Sequence, residues 1–150
     1  VSLRLPDWTF VFVGPIGSGD STRQSDLPQA PNVRFLGPRS YEHLPSYVAG
    51  FDVCIIPYAL NSYTSSVFPL KFWEYLATGK PVVTTPLPAL RQYYGPVDVA
   101  ADPDAFVAAL QKAYSGAGDQ RARHKRLDLA ADQTWEHRAD KMLAALRSHL

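Results

Sequence analysis

The sequence predicts an α/β protein: a parallel sheet with helices on both of its faces. Three observations point there. Short, almost wholly apolar runs recur at residues 8–13, 33–36, 52–56 and 81–85. Strands that do not alternate with polar residues are buried on both faces, the habit of parallel sheets. Segments of helical period separate most of these runs, which is the strand–helix alternation of a parallel fold. The chain of 150 residues is 46% hydrophobic, enough to bury one substantial core.

Taken in order, residues 2–7 read as the end of a helix running into the first strand, which spans 8–13 and stops at Gly14. Residues 14–31 are rich in Gly, Ser, Asp, Gln and Pro and read as a long loop. A second strand at 33–36 closes at Gly37-Pro38. Ser40 can cap a helix reaching Ala49, with Leu44, Tyr47 and Val48 at helical spacing. The third strand covers 52–56 and ends at Pro57, and a polar, aromatic loop fills 58–68.

A helix follows. Ser65 and Ser66 are candidates to cap it, and Pro69 suits its first turn because its absent N–H would have no partner there. Gly79 and Pro81 end it. Leu70, Trp73 and Ala77 fall at i, i+3 and i+7, which predicts a core-facing stripe. Glu74 sits four residues after Leu70, where that stripe calls for an apolar side chain. A carboxylate there is costly unless something hydrogen-bonds it, and a ligand hydroxyl would serve.

The fourth strand spans 81–85, a short helix 87–93, and a weak strand 97–100. Asp102-Pro103-Asp104 starts a helix running to about Tyr114, and Gly116-Ala117-Gly118 breaks it. Two further helices are expected, from Asp119 to Ala131 and from Thr134, as N-cap, to His149. The order of strands in the sheet is not readable from these signals.

Composition excludes several function classes. Net charge is +1, so no global field points to nucleic acid. No apolar run approaches the roughly 20 residues a membrane helix needs. The single cysteine, Cys54, lies in an apolar run and reads as a buried, inert thiol; no disulfide within the chain is possible. His43, His124, His137 and His149 have no metal-ligand spacing, and no metal is expected; His124 and His149 read as exposed. Arg121, Arg123, Lys125 and Arg126 form a basic cluster. It reads as a solvated helix face or, alternatively, as a peripheral contact with anionic lipid headgroups. The chain opens at Val1 without a methionine or a signal-peptide pattern, as a piece of a longer protein would.

Ligands of open α/β sheets bind at the carboxyl ends of the strands, here Gly14-Pro15, Leu36-Gly37, Pro57-Tyr58 and Thr84-Thr85-Pro86. None carries the acidic acceptor of a receiver domain. The loop from Asn61 to Ser66, with its hydroxyls beside a helix start, can cradle an anion. Lys71 and Glu74 are i, i+3 neighbours; a surface ion pair is the plain alternative to a functional role. Gly14-Pro15-Ile16-Gly17-Ser18-Gly19 lacks the G-x-G-x-x-G spacing and reads as a flexible loop near a ligand rather than a dinucleotide loop.

The run Phe68-Pro69-Leu70-Lys71-Phe72-Trp73-Glu74-Tyr75-Leu76-Ala77-Thr78-Gly79-Lys80-Pro81-Val82-Val83 closely resembles the donor-site signature of group 1 (family 4-like) glycosyltransferases with the GT-B fold. Residues 8–15, 32–37, 44–57 and 134–138 resemble flanking segments of the same C-terminal domain, in order. The resemblance implies a Rossmann-like half of a GT-B fold whose first strand and acceptor-binding N-terminal domain precede Val1. Residues 1–150 would then be the C-terminal nucleotide-sugar-binding domain, inactive by itself. It implies that Glu74 binds the donor ribose and that the loop and helix start, with Ser65, Val67, Phe68, Pro69 and Leu70, hold the diphosphate and sugar. Lys71 and Ser66 are the catalytic candidates; Gly14, Leu36, Gly37 and Tyr58 line the rest of the donor site, with Leu36 and Gly37 near the base.

The implied substrate is a nucleotide diphosphate sugar, a UDP-sugar favoured, with no cofactor and no metal. The implied acceptor is a glycan or lipid-linked molecule in bacterial cell-surface polysaccharide synthesis, at a cytoplasmic location or the inner face of the plasma membrane. One position departs from the pattern. The family's E-x7-E places its first glutamate where this chain has Ser66, which favours a catalytically inactive binding module as the rival; a sugar-nucleotide epimerase of the same fold is another.

Overall fold

The computed structural model describes residues 1–16 and 29–148. The chain forms two compact units, Val1–Gly50 and Phe51–Leu150. The expected glycine loop through Gly17 and Gly19 and the expected exposure of His149 lie outside the described residues.

In the first unit a 3-10 turn, Ser2–Arg4, precedes β1 (Phe10–Phe12), which pairs in parallel with β2 (Val33–Phe35). Phe10 lies opposite Val33 and Phe12 opposite Phe35, whose rings stack at 5.2 Å. The Asn32 side-chain amide lies within hydrogen-bonding reach of the Ser2, Leu5 and Trp8 carbonyls at 2.9–3.0 Å, tying the opening turn to the start of β2. Both strands are shorter than their apolar runs, and only Phe10 is buried. A two-stranded sheet has no inner strand to bury, so full apolarity overstated their burial.

The helix expected from Ser40 is divided. A 3-10 turn, Tyr41–His43, leads into α1 (Leu44–Ala49), and the Ser40 hydroxyl meets the His43 ring at 2.9 Å instead of capping backbone N–H groups. Pro45 in the first turn favours the α start there. Leu44, Tyr47 and Val48 form its most covered side, as their spacing predicts.

The second unit carries a parallel three-stranded sheet in the order β3 (Cys54–Ile56), β4 (Val82–Thr84), β5 (Asp98–Val99). β4 is central and wholly buried, as an unbroken apolar run on an inner strand should be. α2 (Lys71–Ala77) connects β3 to β4, and a 3-10 helix, Pro88–Tyr93, lies between β4 and β5. α3 (Pro103–Ser115), α4 (Gln120–Ala131) and α5 (Trp135–Arg147) follow. The parallel sheets flanked by helices make the chain an α/β, Rossmann-like fold. The deepest side chains are Phe72, Leu76, Ile56, Leu87, Leu90 and Leu110.

These last helices start where expected, and Thr134 is the predicted N-cap. Asp102 accepts from the N–H of Asp104 and Ala105 at 3.0 and 2.8 Å. Asp119 accepts from Arg121 and Ala122 at 2.8 and 3.1 Å, and Thr134 from His137 at 3.2 Å. Each stabilises its helix by about 1 kcal/mol. α5 buries none of its residues, and Trp135, Met142, Leu143 and Leu146 stand exposed along it. No helix among the described residues is long and apolar enough to cross a membrane.

The basic cluster of α4 is not one solvated face. Arg121, Arg123 and Lys125 are exposed, but Arg126 is buried at 5% exposure, on the side that meets α2. Cys54 is 1% exposed, and burial pushes its thiol up to about 12, with Lys80 opposing weakly.

Candidate functional site

The predicted site residues fall in both units. In the first, the backbone N–H of Gly14 donates to the Gly37 carbonyl at 3.0 Å and that of Leu36 to the Phe12 carbonyl at 2.9 Å. Gly14, Leu36 and Gly37 are therefore brought together at the carboxyl end of the β1–β2 pair. Gly14 and Gly37 have φ of +140° and +69°, and nothing lies within 4 Å of where a Cβ would stand on either. The turn needs glycine for its backbone conformation, and it leaves open space beside it.

In the second unit the loop after β3 is folded on itself. The Asn61 N–H donates to the Thr64 hydroxyl at 3.0 Å, and the Thr64 N–H donates back to the Asn61 side chain at 2.9 Å. The Thr64 hydroxyl donates to the Ala59 carbonyl at 2.6 Å, and the residue is buried. Sequence reasoning missed this pair, although the i, i+3 spacing of two capping residues is its signature. Tyr58, at the carboxyl end of β3, is half-buried, and its carbonyl accepts from the Thr85 hydroxyl at 2.9 Å.

That closed loop takes the serines away from the helix. Ser65 donates through its hydroxyl to the Ser62 carbonyl at 2.7 Å, and its N–H goes to Asn61; the Ser66 N–H goes to Tyr63. Neither serine caps α2, which starts at Lys71 with Leu70 as N-cap and no side-chain cap. The N–H groups of Phe72 and Trp73 turn back to the Pro69 and Leu70 carbonyls at 2.9 and 3.1 Å, so fewer donors stand free at the helix start than expected. Pro69 is buried just before the helix, Val67 is half-buried, and the Ser65 and Ser66 side chains are exposed.

The core-facing stripe is also corrected. Leu70 is 56% exposed, Ala77 and Glu74 are exposed, and the buried face is Phe72, Trp73 and Leu76. Leu70, Glu74 and Ala77 are a stripe, but the outward one. The reason is aromatic packing. Phe68 stacks on Trp73 at 5.5 Å, and Tyr93 meets Trp73 edge-on at 4.9 Å and Phe72 at 5.7 Å. These contacts bind the preceding loop and the 3-10 helix to one side of α2. Among the described residues Glu74 and Lys71 share no ion pair.

Glu74 is close enough to act electrostatically on Tyr75. The Tyr75 phenol is pushed up to about 12, chiefly by burial and then by Cys54, Glu74 and Tyr58. One outward face of α2 thus offers an exposed carboxylate and an exposed lysine one turn apart, with the exposed Leu70 beside them in sequence. A carboxylate accepts from hydroxyl pairs and a lysine attracts phosphate, the two chemistries a nucleoside diphosphate needs. No group of three or more His, Cys, Asp or Glu among the described residues is placed to hold a metal ion.

The family described as glycosyl transferases group 1 matches residues 1–116. The chain is 38% identical over 138 residues to the "Putative teichuronic acid biosynthesis glycosyltransferase TuaH" of Bacillus subtilis (strain 168), a match covering 89% of this chain and 35% of that protein. The chain therefore spans about a third of the length of the curated relative it matches. With a match over most of its length and the signature on α2, this chain belongs to the group 1 glycosyltransferases.

Proposed function

We propose that the whole protein transfers a hexose from a nucleotide diphosphate sugar, UDP-linked, to a glycan or lipid-linked acceptor in cell-surface polysaccharide synthesis. Residues 1–150 form its C-terminal, donor-binding portion. The observation that carries this reading is Glu74: an exposed carboxylate on a helix whose other side is locked in the core, at the signature's donor position. It accepts from the ribose hydroxyls. Lys71, one turn away, supplies positive charge to the departing diphosphate, and the exposed Ser66 lies at the sugar end. Catalysis by such a site is electrostatic stabilisation of the leaving group, with no metal in the reading. Leu36 and Gly37 are assigned to the base by resemblance, and Gly14 to the donor site. The role in polysaccharide synthesis draws on the name of the Bacillus relative. The protein works at the cytoplasmic side, and the exposed basic residues of α4 are the candidates for a peripheral contact with lipid headgroups.

Thermal unfolding with millimolar UDP, GDP, ADP and CDP tests the donor site. A ligand at about 100 times its dissociation constant adds about 2.7 kcal/mol of stability. One diphosphate, UDP expected, should stabilise the protein, and Glu74→Gln should abolish the gain. Glu74→Gln should itself unfold within about 0.5 kcal/mol of the parent, because the side chain is exposed. Silence from every nucleotide on the full-length protein would sink the reading. Ser66 in place of the first family glutamate favours a second one, a binding module without turnover; nucleotide binding with no sugar transfer would establish it.

A further inference from the structure

Arg126 is the feature that the donor-site reading does not absorb. It lies in the middle of α4, whose other charged side chains are exposed, yet it is 5% exposed, on the covered side that also holds Leu127 and Ala130. Its Nε donates to the Gly79 carbonyl at 3.0 Å across the α2–α4 contact. One terminal guanidinium nitrogen is buried with no hydrogen-bond partner among the described residues. Asp119 and Asp98 act on it only through space, and burial outweighs them, holding the guanidinium below its ordinary value. Taking a cation out of water to bond one neutral carbonyl is a poor way to gain stability; an apolar side chain of similar length would do as well or better. Such a group is better explained by placement.

Gly79 is where placement counts. It ends α2 with φ of +71°, five residues after Glu74, or about 7.5 Å along a helix axis. α2 has two turns and no side-chain N-cap; the rings around Trp73 fix which face turns inward, and the bond at Gly79 adds an anchor at its far end.

We infer that Arg126 is a positioning residue of the donor site: its bond to the Gly79 carbonyl sets where α2 presents Glu74. This rests on the reading of Glu74 as the donor carboxylate. The exposed face of α2 can then carry ligand-binding side chains with no structural duty, because its placement is set by its inner face and its buried end.

The test isolates one hydrogen bond. In Arg126→Gln the amide nitrogen falls as far along the side chain as Nε does, keeping the donor without the charge. In Arg126→Met a methyl group takes that place and the donor is gone. On the full-length protein, calorimetric titration with UDP, GDP, ADP and CDP is run well below each unfolding midpoint, with circular dichroism verifying the fold. Arg126→Met should weaken binding of the preferred diphosphate about tenfold, and Arg126→Gln should keep it within about threefold of the parent. Arg126→Leu, which also lacks the donor, replaces the Met variant should that fail to fold. Asp102→Ala, which removes a cap on α3, is the control; it lowers stability and leaves affinity unchanged. Unchanged affinity in Arg126→Met, or equal loss in Met and Gln, overturns the inference while the donor site stands. No binding by the parent protein overturns the donor-site reading itself.

Discussion

Replacing Gly79 by alanine perturbs the end of α2 in two separable ways. The first is backbone strain. At φ of +71° an L residue sits in the left-handed region, which costs about 1–2 kcal/mol. The second is steric. A Cβ there would stand 2.9 Å from Arg123 Cγ and 3.1 Å from its Nε, with Leu127 Cγ at an ordinary 3.4 Å. Arg123 is an exposed, flexible side chain, so it can swing away and surrender only the packing of its stem. Alanine also has a less free unfolded chain than glycine, a gain of about 0.4–1 kcal/mol that offsets part of the loss. The net expectation is a destabilisation of about 1 kcal/mol, with strain the largest contribution.

Urea unfolding measures this as a lower midpoint at unchanged slope, and a thermal midpoint should fall by about 2–4 °C. The two causes are separated by companion variants. Gly79→Asn should cost less than Gly79→Ala, because asparagine tolerates the left-handed region. Adding Arg123→Ala to Gly79→Ala should recover only the steric share. If Gly79→Ala unfolds within 0.5 kcal/mol of the parent, or if removing Arg123 restores it fully, the strain argument is refuted.

Two other expectations follow from burial. Phe72→Ala should cost about 3–5 kcal/mol, as a fully buried ring does, whereas Leu70→Ala should stay within about 0.5 kcal/mol; a loss near 2 kcal/mol at Leu70 in urea unfolding would restore the stripe inferred from spacing. Cys54 should resist iodoacetamide at pH 8 until the protein is unfolded. Its folded pKa of about 12 exceeds the ordinary 9.0. The stability linked to its neutral form is therefore intact below about pH 9 and is lost as pH rises towards 12. Up to about 4 kcal/mol is at stake. Cys54→Ala should flatten this alkaline loss in unfolding midpoints taken at pH 7, 9 and 10.5. A remainder should survive, because Tyr75 shifts in the same direction.

What the sequence disclosed was what is decided locally. The helix starts at Asp102, Asp119 and Thr134 were legible because a cap is a bond within four residues of itself. β4 was legible because an inner strand needs an unbroken apolar run. The rotation of α2 was not legible. Leu70, Phe72, Trp73, Leu76 and Ala77 put apolar side chains nearly all round it, so period alone cannot choose the inner face. Phe68 and Tyr93 make that choice, the latter from beyond β4. Ser65 and Ser66 misled for a related reason: the Asn61–Thr64 exchange claims the loop first. Arg126 is indistinguishable from Arg121, Arg123 and Lys125 until α4 is seen against α2.

The wrong phase for α2 changes the physical argument for Glu74 more than it changes the site. As a core residue, the glutamate would have been a buried charge awaiting a ligand, and removing it would have stabilised the protein. As a surface residue it is free of that duty. α2 is held by rings on its inner face, by the left-handed turn at Gly79 and by the Arg126 bond. None of these involves Leu70, Lys71 or Glu74. Affinity and stability should therefore separate along this one helix: changes at residues 70, 71 and 74 alter what is bound, and changes at 72, 73 and 76 alter whether the fold survives. A helix rigid on one side and unconstrained on the other can vary its ligand contacts without repacking its core.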